Sequence, residues 1–185
     1  MIDVKTIADT LTAGRFFIAL LFFWLGLRMG QSALPNVTLA LVLGWASDVL
    51  DGALARRDPN KRRTWLGDND LSVDVCVALG LLCYLTFSGY VSPAIAVSYI
   101  LMTGALIWYF RSRALAMAAQ APVYAILLYL ALRDATTYGA LAVGWIVFVV
   151  IVTWPRFPKT VVPEFLKGMR ELGKHEEEQG KSIAE

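Results

Sequence analysis

The stretch SDVLDGALARRDPNKRRTWLGDNDLSVDV, from Ser47 to Val75, joins the ends of two apolar runs and carries six aspartates. Asp48 and Asp51 close the first run, and Asp70 and Asp74 open the second. Spacings of three and four residues put each pair on one helix face. The first stripe continues as Asp48, Asp51, Gly52 and Ala55, and the second as Gly67, Asp70 and Asp74. Two antiparallel helices joined by a short loop would bring both acidic stripes together, with the glycines leaving open space beside them.

Such a site is costly in a membrane. One aspartate in a spanning helix costs about 2.5–3.5 kcal/mol, so four unpaired ones approach roughly 10 kcal/mol, less near the interface. Total stability is only about 5–15 kcal/mol. Cations are the natural compensation, and all-oxygen, carboxylate-rich sites suit hard ions such as Mg²⁺, Mn²⁺ or Ca²⁺. Four carboxylates suffice for two ions about 3.5–4 Å apart, the arrangement used in phosphoryl chemistry. The bland alternative, solvation at a helix end, fits any one of the four but not two matched stripes together. It does fit Asp58 and Asp68, which lie in the loop proper.

Outward from this stretch the chain is apolar. Of 185 residues, 57% are apolar and 17% charged, and the mean hydropathy is +0.57. Soluble domains run nearer half apolar with about a quarter charged. Six runs approach the roughly 20 apolar residues that a span needs: Leu11–Leu27, Pro35–Leu54, Leu71–Tyr90, Pro93–Phe110, Ala116–Leu132 and Tyr138–Trp154. This predicts an all-α polytopic membrane protein, a bundle of six transmembrane helices over residues 1–160, with a polar cytoplasmic C-terminal tail over 161–185 that could form a short surface helix, Val162–Lys174. Ile2–Thr10 reads either as a short N-terminal amphipathic segment lying along the membrane or as a plain extension of the first helix.

Lys and Arg set the orientation. With the N-terminus in the cytoplasm, the inner segments hold Lys5, Arg56, Arg57, Lys61, Arg62, Arg63, Arg111, Arg113 and the basic residues of the tail. The outer loops hold only Arg28 and Arg133. Both termini are therefore expected in the cytoplasm. No cleavable signal peptide is expected, and the first run is read as a retained helix. Arg57, Lys61, Arg62 and Arg63 suit topology and anionic headgroups, and no nucleic-acid partner is expected. Cys76 and Cys83, two helical turns apart, are read as small buried thiols, too far apart to bridge. His175, the single histidine, lies in a charged stretch, which makes histidine-based catalysis improbable.

The acidic stretch resembles the signature of the CDP-alcohol phosphotransferase family, D-x2-D-G-x2-A-R, a spacer, then G-x3-D-x3-D. Asp48, Asp51, Gly52, Ala55 and Arg56 match the first half without a gap, and Asp70 and Asp74 match its close. Leu11–Arg15, LTAGR, is similar to the L-T-x2-R that opens the family's first span. There are two departures. The spacer is one residue longer, and Gly67 stands three residues before Asp70 rather than four, so Asp68 competes with Asp70 for the third ligand position.

The resemblance implies a transferase dependent on Mg²⁺ (or Mn²⁺), with two ions. It would move a substituted phosphate from a CDP-linked lipid donor, CDP-diacylglycerol, to a small alcohol and release CMP in phospholipid biosynthesis. It implies Asp48, Asp51, Asp70 and Asp74 as metal ligands and Asp74 also as the catalytic base. Gly52, Ala55, Arg56, Thr12, Arg15 and Gly67 would line the CDP pocket. Arg56, one position past the Gly52/Ala55 face, suits a diphosphate, since arginine binds phosphate bidentately. Arg111 and Arg113 read either as topology markers or as a pocket for an acceptor phosphate, as in glycerol 3-phosphate or inositol phosphate. The family also implies a homodimer among membrane lipids, here expected in a prokaryotic plasma membrane.

Two other classes compete. A divalent-cation transport protein would show an inverted repeat or broken helices in paired halves. No repeat is present, and the middles of the last three spans carry no ionisable group. A non-catalytic relative would have lost metal ligands, and only the shifted glycine hints at that.

Overall fold

The computed structural model describes residues 4–55 and 70–154, and residues 159, 162, 163, 166 and 167 of the tail. These residues form α1 (Val4–Arg28), a 3-10 turn (Gly30–Ala33), α2 (Leu34–Ala55), α3 (Asp70–Phe87), α4 (Pro93–Phe110), α5 (Arg113–Ala118), α6 (Ala121–Asp134) and α7 (Thr136–Val152). No strand occurs among them.

Local chemistry sets the breaks. Ser92 caps α4 by accepting the Ile95 N–H at 3.4 Å, and Pro93 fills the first helical position, where no donor is needed. The helix ends on Arg111, held left-handed at φ +48 with its N–H on the Ile107 carbonyl at 2.9 Å. Ser112 then caps α5 through the Leu115 N–H. The fifth expected run is not one helix: it steps at Ala119–Gln120, between α5 and α6. Pro122 has no N–H for the carbonyl one turn back, and its ring crowds that carbonyl. The Tyr99 hydroxyl donates to the Ala119 carbonyl at the step. At the N-terminus, Val4–Thr10 runs unbroken into α1, the plain extension rather than a separate segment.

The stretches Thr10–Arg28, Gly30–Ala53, Pro93–Phe110 and Arg113–Asp134 are long and apolar enough to cross a membrane. Leu71–Phe87 and Thr136–Val152 are apolar but shorter. At 17 residues, α7 is about 26 Å long against a hydrocarbon core of about 30 Å. The expectation of six spans thus rests on four stretches of full length, one of them stepped between α5 and α6, and two shorter helices.

The surface supports lipid as the solvent. Phe17, Leu101, Trp108 and Ile151 are each at least two-thirds exposed, far more apolar exposure than a soluble surface carries. The interior holds Thr12, Arg15, Asp51 and Gln120 instead. Buried Thr38 returns its hydroxyl to the Leu34 carbonyl at 2.8 Å, as a polar group must where water is absent.

The core lies where α1, α2 and α3 meet. Ala19, Phe22 and Leu25 of α1 pack with Val37 and Leu41 of α2 and with Val77, Leu81 and Leu85 of α3, and Val123 and Leu127 of α6 complete it. Helix α1 runs antiparallel to α2, pairing Thr12 with Asp51 and Arg15 with Asp48, and parallel to α3, pairing Arg15 with Asp74 and Ala19 with Gly80. Gly80 permits this closeness: a Cβ there would lie 2.5 Å from the Ala19 carbonyl oxygen. Gly139 does the same for α6 and α7, where a Cβ would lie 2.5 Å from the Leu132 nitrogen. Small residues at crossings are the usual means of close helix approach in membranes.

Candidate active site

Three helices deliver charge to one point. On α1, Thr12 and Arg15 share the face that continues as Ala19, Phe22 and Leu25, so the stripe that packs the core begins with a hydroxyl and a guanidinium. On α2, Asp48 and Asp51 occupy the last two turns. On α3, Asp74 lies one turn inside the start.

Arg15 is the hub, with a side chain only 2% exposed. Its Nη1 donates to Asp48 Oδ1 at 2.7 Å and to Asp74 Oδ1 at 2.5 Å, bridging α2 and α3. Its Nη2 donates to Asp51 Oδ2 at 2.7 Å. The Thr12 hydroxyl donates to the same Asp51 oxygen at 3.1 Å. Asp51 is nearly enclosed, with its side chain 8% exposed, whereas Asp48 and Asp74 open outward at 47% and 33%. The convergence expected of the two acidic stripes is therefore present for Asp48, Asp51 and Asp74. Sequence reasoning missed its centre, because it sought the compensating charge among ions and left Arg15 to the nucleotide. An arginine on the buried face of an apolar helix was the available signal, since intramembrane charges pair with one another.

Among the described residues no group of three His, Cys, Asp or Glu stands ready-made around a metal position. The donor chemistry still fits a hard divalent ion. The ligands are all oxygen, they converge from two helices, and three carboxylates stand around one guanidinium within the described cluster.

Gly52 follows Asp51 on α2 and is half-buried, and the backbone of Ala55 ends that helix. Asp70 begins α3 one turn before Asp74, at a helix start where negative charge is favoured, though the placement of its side chain lies outside the described residues. Arg56, Asp68 and Gly67 also lie outside them. Arg111 and Arg113 sit at the α4–α5 turn with exposed side chains, apart from the Arg15 cluster.

A cavity of about 280 Å³ opens beside Asp74, lined by Leu71, Met117, Gln120, Ala121 and Tyr124 as well. Its polar wall is ordered. The Tyr124 hydroxyl donates to Gln120 Oε1 at 3.2 Å, and the Gln120 amide donates to the Ala116 carbonyl at 3.3 Å. The Tyr124 ring meets Trp45 of α2 edge-on at 5.6 Å. The α5–α6 step thus places Gln120 and Tyr124 opposite the one acidic side chain contributed by α3 within the described residues.

Neither a curated protein nor a solved structure matches the chain. The family model described as CDP-alcohol phosphatidyltransferase matches residues 5–155, from the first turns of α1 to just past α7. An integral membrane bundle with its aspartates gathered at the ends of α2 and α3, covered by that match along most of its length, belongs to the CDP-alcohol phosphatidyltransferase family.

Proposed function

We propose that this chain transfers a substituted phosphate from a CDP-linked lipid, CDP-diacylglycerol, to an alcohol and releases CMP, at a site on the cytoplasmic side of the membrane. Membership of a family of phosphatidyl transferases supports the reaction class. The observation that carries the site is the convergence of Asp48, Asp51 and Asp74 beside a cavity of about 280 Å³.

The acceptor would enter that cavity and present its hydroxyl to Asp74. The carboxylate takes the proton as the acceptor oxygen bonds to the lipid-bearing phosphorus. The bond from that phosphorus to the bridging oxygen breaks, and the electron pair leaves with CMP. A positioned base of this kind is worth about 10²–10⁴ in rate. Bound Mg²⁺ or Mn²⁺, held by Asp48, Asp51, Asp70 and Asp74, would neutralise the diphosphate and stabilise the departing CMP. Gly52, Ala55, Arg56, Gly67 and Thr12 would line the nucleotide side. Arg111 and Arg113, at the head of the helix that supplies Met117 to the cavity, suit an acceptor carrying a phosphate. A donor with two acyl chains reaches such a site sideways from the bilayer, and the working unit is a homodimer among those lipids.

The test is CMP release by purified protein given CDP-diacylglycerol, Mg²⁺ and a panel of alcohols, glycerol 3-phosphate and inositol phosphate among them. Release with one acceptor, abolished by EDTA and restored by Mg²⁺ or Mn²⁺, is expected. A folded preparation that releases no CMP with any of them refutes the proposal. Divalent binding without turnover would point instead to transport or to a non-catalytic relative.

A further inference from the structure

Arg15 donates to one oxygen each of Asp48, Asp51 and Asp74. A cation bound by those carboxylates would draw on the same electron pairs, and a guanidinium beside it would repel it. We propose that Arg15 is an internal counter-ion: it holds the acidic helix ends together when no divalent ion is bound, and it competes with divalent ions for the same carboxylates. The inference rests on the divalent-ion reading above and goes beyond it, because it assigns Arg15 a role toward the ligands rather than toward the nucleotide.

Four features support it. Arg15 is enclosed, so its charge is poorly screened by water. Its Nη1 reaches both α2 and α3, so it ties the acidic end of one to the acidic start of the other. Thr12 secures the arrangement by donating to the Asp51 oxygen that Nη2 also contacts. The planar fork of arginine suits this bridging, where a lysine would supply one compact charge. Arg15 is thus a positioning residue: it sets the affinity of the acidic ends for ions and preserves the fold in their absence.

Mn²⁺ binding to the full chain in detergent, followed by loss of the free-ion EPR signal, tests this on wild type, Arg15→Met and Arg15→Lys, with melting temperatures measured in EDTA. Arg15→Met is expected to bind Mn²⁺ at least about tenfold more tightly than wild type. It should melt lower than wild type in EDTA and gain more from saturating Mn²⁺. Arg15→Lys should fall between the two. Unchanged or weaker Mn²⁺ affinity in folded Arg15→Met overturns the competition, and Arg15→Lys carries the same criterion if the methionine variant does not fold. In wild type labelled with ¹⁵N-arginine, the Arg15 guanidinium resonances should shift on adding Mg²⁺, and resonances indifferent to saturating Mg²⁺ also overturn it. Mn²⁺ binding that ignores residue 15 removes only the counter-ion role. No binding by any of the three proteins removes the divalent-ion reading with it.

Discussion

Gly80→Ala should damage the active site from outside it. The added Cβ would stand 2.5 Å from the Ala19 carbonyl oxygen and 2.9 Å from its Cα, both backbone atoms that no rotamer change can move. Ordinary contact begins near 3.4 Å, so α1 and α3 must separate by about 0.9 Å at this crossing, an overpacking cost of about 1–3 kcal/mol. Arg15 lies one turn from Ala19, and its bond to Asp74 is 2.5 Å long, so a separation of that size stretches it to about 3.4 Å, past the roughly 2.7–3.2 Å of a well-made bond. Misplacement by about 1 Å costs roughly 10²-fold in rate. CMP release should therefore fall by about that factor, with a lowered melting temperature. Gly14→Ala is the control: it sits beside Arg15 in sequence, but its Cβ would meet nothing within 4 Å. It should keep activity and gain up to about 1 kcal/mol of helix stability. Gly80→Ala with wild-type turnover and melting temperature would refute the claim that backbone contact between α1 and α3 sets the site's dimensions.

Asp74→Asn should lower CMP release by at least about 10²-fold, with little change in melting temperature, because it keeps an acceptor for Arg15 while removing the base and one of the clustered like charges. Full turnover in that variant would exclude Asp74 as the base. Thr12→Val removes the hydroxyl that donates to Asp51 and should cost about 1 kcal/mol in thermal or denaturant unfolding; an unchanged unfolding midpoint would show that this bond adds nothing. Arg111→Ala with Arg113→Ala should raise KM for a phosphorylated acceptor while leaving KM for the CDP-linked donor alone. A rise in the donor KM instead would move those arginines to the nucleotide side.

The parts legible in the sequence are those fixed by local rules. Pro93–Phe110 has the same ends in sequence and structure, because Ser92 and Pro93 start it and a charged residue follows it. The acidic stripe of α2 was legible because helical spacing alone puts Asp48 with Asp51 on one face. The step between α5 and α6 was not, because Ala114–Ala121 reads as unbroken apolar helix except for Gln120, and Pro122 acts on the turn before it. Arg15 was legible as a residue but not as a partner. It stands 33 positions from Asp48 and 59 from Asp74, and only the packing of α1 against both α2 and α3 brings them together. That packing depends on Gly80, whose value is what it lacks, and no hydrophobic periodicity marks such a residue.

The placement of charge also bears on how the chain can fold before it meets any substrate. Two like charges about 4 Å apart in an effective dielectric near 20 repel by about 4 kcal/mol, so bare carboxylates at the ends of α2 and α3 would push those ends apart while both helices must pack against α1. A guanidinium on the neighbouring helix removes that conflict during assembly. Among the described residues three carboxylates share that cation. On the proposed reading these carboxylates would draw in a divalent ion, and the enclosed arginine would limit how tightly it binds. A second buried cation would stabilise the apo fold further and weaken the site, whereas none would strengthen the site and leave an apo fold that falls apart.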